Sequence, residues 1–310
     1  MTEISNETRF LHAIEIGLGA WQWGDRVMWS YGETHTDKDI REAFDVSLGQ
    51  GLRFIDTAEA YGSGRSERLL GKFIKETDQP VLVATKFFPW PWRFNKNFIP
   101  RALKGSLERI GVETVDLYQI HWPSPILSPE TMMEGMAECV KRGYTRTVGV
   151  SNFGQTRMLR AYSALAQRGI PLASNQVHYS LVSREVEKNG TLARCKELGI
   201  RLIAYSPLEK GMLTGKYSPE HPPRGVRAQH YAELLKRIGP LLKLMTEIGQ
   251  DHGGKTNAQV ALNWLICKGA LPIPGAKNAA QAMENAGGGG WKLTDEEVAK
   301  LDELTDVIHK

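Results

Sequence analysis

The chain has 310 residues, of which 41% are hydrophobic and 24% charged, with a formal net charge of +4. These fractions are ordinary for a globular protein and exclude global disorder, and the even spread of Lys and Arg makes nucleic acid a poor partner. No N-terminal signal segment and no apolar stretch of roughly 18 residues occurs, so we predict a cytoplasmic protein without membrane contact.

The three cysteines, Cys139, Cys195 and Cys267, lie far apart in the sequence and form no C-x-x-C pair. A sparse, odd set of this kind argues against a disulfide framework and against a structural zinc site. We therefore expect three buried thiols and no bound metal.

Eight short apolar segments predict strands. In chain order they are residues 14–18, 53–56, 81–86, 115–121, 147–151, 172–177, 201–205 and 270–274. Between them apolar residues recur at helical spacing, as Leu103, Leu107 and Ile110 do. A capping box at residues 294–297 predicts the start of a last helix. Its apolar stripe is Val298, Leu301, Leu304 and Ile308.

The alternation of strand and helix, at about 30 residues per unit, indicates a parallel sheet of the α/β class. Eight strands in a chain of this length favour a closed (β/α)8 TIM barrel, with residues 1–310 as a single domain. The alternative is a doubly wound open sheet. It is disfavoured because Gln22 stands where the third glycine of a dinucleotide fingerprint beginning at Gly17 belongs.

One interval interrupts the alternation. Residues 218–225 contain three prolines and cannot form the interior of a helix or strand. We predict a long loop at residues 206–227 on the catalytic face, followed by helices at residues 231–252 and 257–268. A loop of this length in a compact protein usually covers a site.

Polar residues occupy the carboxyl ends of six predicted strands. They are Asp56, Lys86, His121, Ser151-Asn152, Asn175-Gln176 and Tyr205-Ser206. In a parallel barrel these ends share one face, and active sites of this architecture are built on that face. One polar strand end is often structural, but six on one face predict a site.

Four titratable residues stand in the first half of this ring. Tyr61 lies in the glycine-containing loop 58–64 after Asp56, and Lys86 and His121 end the next two strands. We expect the ammonium of Lys86 to lower the pKa of the Tyr61 phenol, while Asp56 keeps Lys86 charged. His121 would orient and polarise a carbonyl oxygen. Each residue alone has a structural explanation, as an ion pair, packing aromatic or core histidine; together they predict a proton-donating site.

At these residues the sequence resembles the aldo-keto reductase superfamily, and it does so along nearly the whole chain. The matching segments are residues 17–21, 54–58, 61–62, 107–111, 116–123, 149–153, 175–177, 205–208 and 211–217. The resemblance implies hydride transfer from a nicotinamide cofactor to an aldehyde or ketone. Tyr61 would be the general acid, tuned by Lys86 and Asp56, with His121 orienting the substrate.

The resemblance also implies a cofactor site. Ser151, Asn152 and Gln176 match positions that hold the carboxamide, and Tyr205 matches the one that stacks under the nicotinamide ring. The other cofactor-binding residues that it implies are Gly19, Trp21, Asp56, Ser206, Pro207, Leu208, Gly211, Leu213, Gly215, Lys216, Arg227, Gly275, Lys277, Gln281, Glu284 and Asn285.

Residues 273–285 resemble the family's adenosine-phosphate region, where a helix N-terminus offers N–H groups to phosphate. Many members have lysine where this chain has Gly275 and arginine where it has Gln281. The version here is similar to the bacterial and plant branches and to the potassium-channel β subunits. Lys277 and Arg227 are the candidates for contact with a 2′-phosphate, so NADPH (or NADP+) is expected rather than NADH.

An aromatic substrate pocket is expected next to the first, third and fourth strands. Its candidate residues are Trp21, Phe88, Trp90, Trp92 and Trp122. We therefore expect a reductase of small-molecule aldehydes or ketones. Two alternatives stay open, a cofactor-binding sensor module of the channel-β type with little turnover and an isomerase on the same barrel. The motifs leave the physiological substrate and the oligomeric state open.

Overall fold

Eight parallel strands form one sheet in the order in which they occur in the chain. The computed structural model describes residues 5–223 and 226–308, apart from the side chains of Val27, Val226, Arg227 and Val307. The strands are β1 Leu18–Gly19, β2 Phe54–Asp56, β3 Leu82–Phe87, β4 Val115–Ile120, β5 Thr145–Ser151, β6 Leu172–His178, β7 Arg201–Tyr205 and β8 Leu271–Pro272. The Gly17 and Gly19 N–H groups donate to the carbonyl oxygens of Pro272 and Pro274 at 3.0 and 2.9 Å, which closes the sheet. The predicted (β/α)8 barrel is confirmed.

Helices surround the strands. They are α1 Arg9–His12, α2 Arg26–Trp29, α3 Asp37–Gly49, α4 Arg65–Lys75, α5 Phe98–Ile110, α6 Pro129–Lys141, α7 Gln155–Ala166, α8 Glu185–Lys188, α9 Thr191–Leu198, α10 Val226–His230, α11 Ala232–Arg237, α12 Gly239–Asp251, α13 Asn257–Cys267, α14 Ala279–Ala286 and α15 Asp295–Ile308. In the described ranges none of them is long and apolar enough to cross a membrane.

Four predicted elements differ from the structure. The first and last strands are shorter than residues 14–18 and 270–274, since Pro272 and Pro274 have no N–H group to continue the ladder. The helix predicted at residues 231–252 is two helices, because Pro240 occupies the first turn of α12 and cannot continue α11. The loop predicted at residues 206–227 contains a 3-10 segment, Glu209–Thr214, and the start of α10.

The barrel interior has an apolar layer below a polar one. Buried Phe54, Ala84, Leu117 and Ile203 pack together, and Leu11 of α1 packs against them from the amino-terminal end. Residues two apart on a strand point to the same side. The next inward positions are therefore those of Asp56, Lys86, Gln119 and Tyr205, which form the polar layer below the barrel mouth.

Candidate active site

The floor of the site is a buried ion pair between Asp56 and Lys86. The Lys86 Nζ atom donates to Asp56 Oδ1 and, at 2.8 Å, to the carbonyl oxygen of Thr57. Both side chains are at most 2% exposed. Burial lowers the pKa of Lys86, and the negative charge of Asp56 opposes that shift.

Tyr61 lies above this pair. Its hydroxyl oxygen is 3.4 Å from Lys86 Nζ, and its ring stacks on Trp21 with centroids 6.2 Å apart. The expected lowering of the phenol pKa is wrong: burial raises the pKa of Tyr61 well above its usual value, and the charge of Asp56 raises it further. The physical reason is that burial disfavours the charged phenolate, and the negative charge of Asp56 acts in the same direction. Tyr61 is therefore protonated at neutral pH.

His121 faces Tyr61 across the mouth, with ring centroids 5.6 Å apart and planes at 83°. Burial lowers the pKa of His121 well below its usual value, and the charge of Lys86 acts in the same direction. The imidazole is therefore neutral at pH 7. Its Nδ1 atom is buried and has no hydrogen-bond partner among the described residues. A neutral imidazole can donate one hydrogen bond to an oxygen placed between it and the phenol.

Two amides complete the support of Asp56. Gln119 and Gln176 donate to Asp56 Oδ2 at 3.2 and 2.8 Å. The sequence reasoning missed Gln119, although a polar residue inside the apolar strand β4 was a usable signal. Lys86, Gln119 and Gln176 thus form a connected network with the carboxylate of Asp56 at its centre.

A cavity of about 820 Å³ begins at these residues and extends over the carboxyl ends of the strands towards α14. This volume lies in the range of small-molecule and cofactor sites. Of the predicted residues, Asp56, Tyr61 and His121 line it together with Gly19, Trp21, Phe88, Trp122, Ser151, Asn152, Gln176, Tyr205, Ser206, Pro207, Leu208, Gly211, Lys216, Gly275, Lys277, Gln281, Glu284 and Asn285.

Five predicted residues do not line the cavity in the described structure. Lys86 is fully buried in the floor and does not reach the cavity surface, and Leu213 is buried in the core. Gly215 follows the 3-10 segment Glu209–Thr214. Trp90 and Trp92 lie outside the lining, on the surface. The side chain of Arg227 falls outside the described part of the chain.

Asn152 and Tyr205 form part of the cavity wall. The Tyr205 hydroxyl donates to Asn152 Oδ1 at 3.0 Å, and Asn152 Nδ2 donates to the carbonyl oxygen of His121, also at 3.0 Å. One face of the Tyr205 ring stacks on His178, with centroids 5.4 Å apart. Amide groups beside a fixed aromatic ring are a donor set that suits a nicotinamide carboxamide and ring.

The far end of the cavity combines cationic and amide side chains. Lys277 places its Nζ atom 4.9 Å from the centroid of the Trp29 ring. Gly275 cannot be exchanged for a larger residue without movement, because a Cβ atom there would lie 2.0 Å from the Gln22 amide nitrogen. The Oε1 atom of Gln22 is buried and has no hydrogen-bond partner among the described residues. Lysine at position 275 would therefore compete with Gln22 for space.

Glu209, which the sequence reasoning also missed, fixes the segment after β7. It is 5% exposed and accepts hydrogen bonds from His178 Nε2 at 3.0 Å, Ser180 Oγ at 3.0 Å and the Tyr231 hydroxyl at 2.8 Å. Its φ is +47°, in the left-handed region that non-glycine residues rarely adopt. This carboxylate thus ties the segment that carries Pro207, Leu208 and Gly211 to β6 and to the residue before α11.

Glu209 gives the protein an acid-sensitive contribution to stability. Burial would raise the pKa of Glu209, but hydrogen bonds from His178, Tyr231 and Ser180 outweigh it and hold the pKa below the usual 4.5. A carboxyl with a lowered folded-state pKa stabilises the fold above its unfolded pKa and loses that effect as the pH falls through the folded value. We expect Glu209→Gln to lower the free energy of unfolding by about 1–3 kcal/mol at pH 7.

Urea unfolding of wild type and Glu209→Gln at several pH values measures this contribution. The difference between the two proteins should be full at pH 7 and shrink as the pH falls below 4.5. Glu108→Gln, at an exposed position on α5, is the matched control and should leave the pH dependence of wild type unchanged. A difference that stays constant from pH 7 to pH 3.5 would contradict the assignment.

Comparison with known proteins identifies a family model and several relatives that this chain matches. Residues 15–306 match the family model described as the Aldo/keto reductase family. The chain is 41% identical over 300 residues to the chloroplastic pyridoxal reductase of Arabidopsis thaliana, covering 93% of this chain and 82% of that protein. It is 31% identical to a thermostable aldo-keto reductase solved with the inhibitor epalrestat, with a TM-score of 0.76 and 94% of each chain covered. An aldo/keto reductase from Klebsiella pneumoniae, solved with NADP and acetate, is 28% identical, with a TM-score of 0.73 and coverage of 94% of this chain and 91% of that one.

Proposed function

The chain belongs to the aldo/keto reductase family, a family of nicotinamide-dependent oxidoreductases, and from this premise we propose that it reduces small aldehydes or ketones with NADPH, using Tyr61 as the general acid. The observation that carries the proposal is the arrangement of Tyr61 between Lys86, 3.4 Å from its oxygen, and the neutral His121. A protonated donor and a neutral hydrogen-bond donor then converge where a carbonyl oxygen would lie.

In the proposed reaction, bound NADPH supplies the hydride that reaches the carbonyl carbon. The Tyr61 hydroxyl donates its proton to the carbonyl oxygen, which completes the alcohol. The raised pKa of Tyr61 does not prevent this step, because an alkoxide is a much stronger base than a phenolate. Lys86 then stabilises the resulting phenolate, since its ammonium lies 3.4 Å from that oxygen. His121 orients the carbonyl by donating a hydrogen bond to the same oxygen.

We propose that the cofactor lies over β5 to β8. Ser151, Asn152 and Gln176 would hold the carboxamide, and the free face of Tyr205 would support the ring. At the other end of the cavity, Lys277 would bind the 2′-phosphate, and Arg227 is a second candidate from the sequence alone. A cationic site there favours NADPH, because NADPH carries a phosphate group at the 2′ position, where NADH has only a hydroxyl group.

Lys277→Ala tests this preference. We expect the Kd for NADPH to rise by about tenfold, as the loss of one charge-assisted contact predicts, and the Kd for NADH to change little. Quenching of tryptophan fluorescence measures both constants, since Trp21 and Trp29 line the cavity. Lys72→Ala, at an exposed position on α4, is the control and should change neither value. Equal effects of Lys277→Ala on the two cofactors would remove Lys277 from the phosphate site.

The proposed substrates are aromatic aldehydes. Trp21, Phe88 and Trp122 line the cavity beside the tyrosine and histidine and offer flat apolar walls to a ring. The 41% identical relative is named a pyridoxal reductase, and pyridoxal is an aromatic aldehyde of suitable size. That relative is also named as chloroplastic, so a cytoplasmic location stays a prediction for this chain.

A steady-state assay with NADPH and a panel of aldehydes, pyridoxal and benzaldehyde included, tests the proposed function. We expect oxidation of NADPH that depends on the aldehyde and yields the corresponding alcohol. Binding of NADPH without oxidation above the blank for any aldehyde or ketone would favour the sensor module instead. Conversion of a substrate without net consumption of NADPH would favour the isomerase.

A further inference from the structure

Exposed aromatic side chains are concentrated beside one edge of the cavity. Of the six large hydrophobic side chains that are exposed in the described residues, five lie on the loops after β3 and β4, which are neighbouring strands. Trp90, Trp92 and Trp122, which we call the aromatic rim, are 36%, 62% and 46% exposed. Exposed apolar clusters of this kind usually mark binding surfaces.

The rim is continuous with the proposed reaction site. The Phe88 ring lines the cavity and contacts the His121 ring edge to face, with centroids 5.5 Å apart. Phe88 contacts Trp90 at 4.3 Å, and Trp90 stacks on Trp92 at 5.1 Å with an interplanar angle of 3°. A row of rings thus leads from His121 to the solvent.

The loop that carries this row is held in place by Glu59. Its carboxylate accepts a hydrogen bond from the Phe88 N–H at 2.7 Å and binds the Arg93 guanidinium through both oxygens. Arg93 also donates to the carbonyl oxygen of Phe88 at 2.9 Å. The Glu59 and Arg93 side chains are 9% and 16% exposed. The two tryptophans therefore stand on a fixed support, which lowers the entropy cost of binding a ligand against them.

The chemistry of the rim favours a flat, uncharged ligand. The cofactor is proposed to lie over β5 to β8, so the edge at β3 and β4 is left to the substrate. Arg93, the charged residue nearest in sequence to Trp92, is neutralised by Glu59. Aromatic rings stack favourably on such surfaces.

We propose that the aromatic rim is a distal subsite for carbonyl substrates that carry a second aromatic ring beyond the ring attached to the carbonyl group. That second ring packs against Trp90 and Trp92 while the carbonyl lies between Tyr61 and His121. This inference rests on the proposed function, because the position of the second ring is set by the position of the reacting carbonyl.

Trp92→Ala tests the subsite with a pair of aldehydes, benzaldehyde with one ring and 4-phenylbenzaldehyde with two. We expect the KM for the two-ring aldehyde to rise about threefold to tenfold, the size of one lost aromatic contact, and kcat to stay unchanged. The kinetics of benzaldehyde should not change. Phe94→Ala is the matched control, since Phe94 is 63% exposed on the same loop but packs on Phe98 outside the row of rings.

Equal KM values of wild type and Trp92→Ala for 4-phenylbenzaldehyde would overturn the subsite. An equal rise in KM for both aldehydes would overturn it as well. Unchanged kinetics together with a lower molecular mass of Trp92→Ala in analytical ultracentrifugation would identify the rim as a contact between copies of the chain. Absence of turnover of every aldehyde and ketone by the wild type, benzaldehyde included, would contradict the proposed function instead. Calorimetric titration of wild type and Trp92→Ala with 4-phenylbenzyl alcohol would then test the subsite alone, equal affinities overturning it.

Discussion

Replacing Tyr61 with phenylalanine is expected to lower kcat by about 10²–10⁴-fold, the usual contribution of a positioned general acid. The Kd for NADPH should stay within about twofold, because the substitution removes one hydroxyl group and keeps the ring that stacks on Trp21. Steady-state kinetics with benzaldehyde and fluorescence titration with NADPH measure the two quantities. A selective loss of kcat is the signature of a group that acts in the transition state.

Tyr118→Phe is the matched control for this variant. Tyr118 is fully buried on β4, and its hydroxyl donates to the carbonyl oxygen of Ile99 at 3.4 Å, outside the cavity. The same chemical change there should leave kcat and the cofactor affinity near wild type. Turnover of Tyr61→Phe at the level of Tyr118→Phe would show that the proton comes from another group.

Lys86→Met is expected to lower the free energy of unfolding by about 3–5 kcal/mol at pH 7, because it leaves the buried carboxylate of Asp56 without its counter-ion. The amides of Gln119 and Gln176 remain as its donors, but they carry no charge. Turnover should fall as well, because the cation next to the Tyr61 phenolate is lost. Urea unfolding monitored by tryptophan fluorescence measures the stability.

A double variant separates the two effects. Asp56→Asn combined with Lys86→Met removes the unpaired charge and should recover part of the lost stability without restoring turnover. Lys96→Met is the control, because its pair with Glu134 is 50% and 35% exposed and contributes at most about 1 kcal/mol. Equal stability losses for Lys86→Met and Lys96→Met would contradict a dominant role of the buried pair.

The sequence predicted the architecture because two signals agreed. Apolar segments of strand length alternated with helical patterns, and polar residues stood at the strand ends. Since residues two apart face the same side of a strand, Asp56 and Lys86 had to point inward above Phe54 and Ala84, as the structure has them. The proximity of Tyr61 and His121 followed from the closure of the barrel.

Other features depend on contacts between distant segments and could not be inferred from local patterns. The raised pKa of Tyr61 results first from burial of the phenol and then from the charge of Asp56, and sequence spacing does not determine how deeply the phenol is buried. In the sequence Glu209 cannot be distinguished from other charged loop residues, because its partners His178 and Tyr231 come close only in the fold. The break before Pro240 is predictable from the sequence, because proline is favoured in the first turn of a helix and cannot continue a preceding one.

The apolar layer beneath the polar network has a consequence for how the proposed acid, Tyr61, is reprotonated. Phe54, Ala84, Leu117 and Leu11 are fully buried and offer no side-chain group that could relay a proton from the amino-terminal end of the barrel. With Tyr61 as the acid, a fresh proton must arrive through the mouth, the same opening by which the alcohol leaves. Proton uptake and product departure would then share one route, which makes reprotonation of the enzyme a late event in each catalytic cycle.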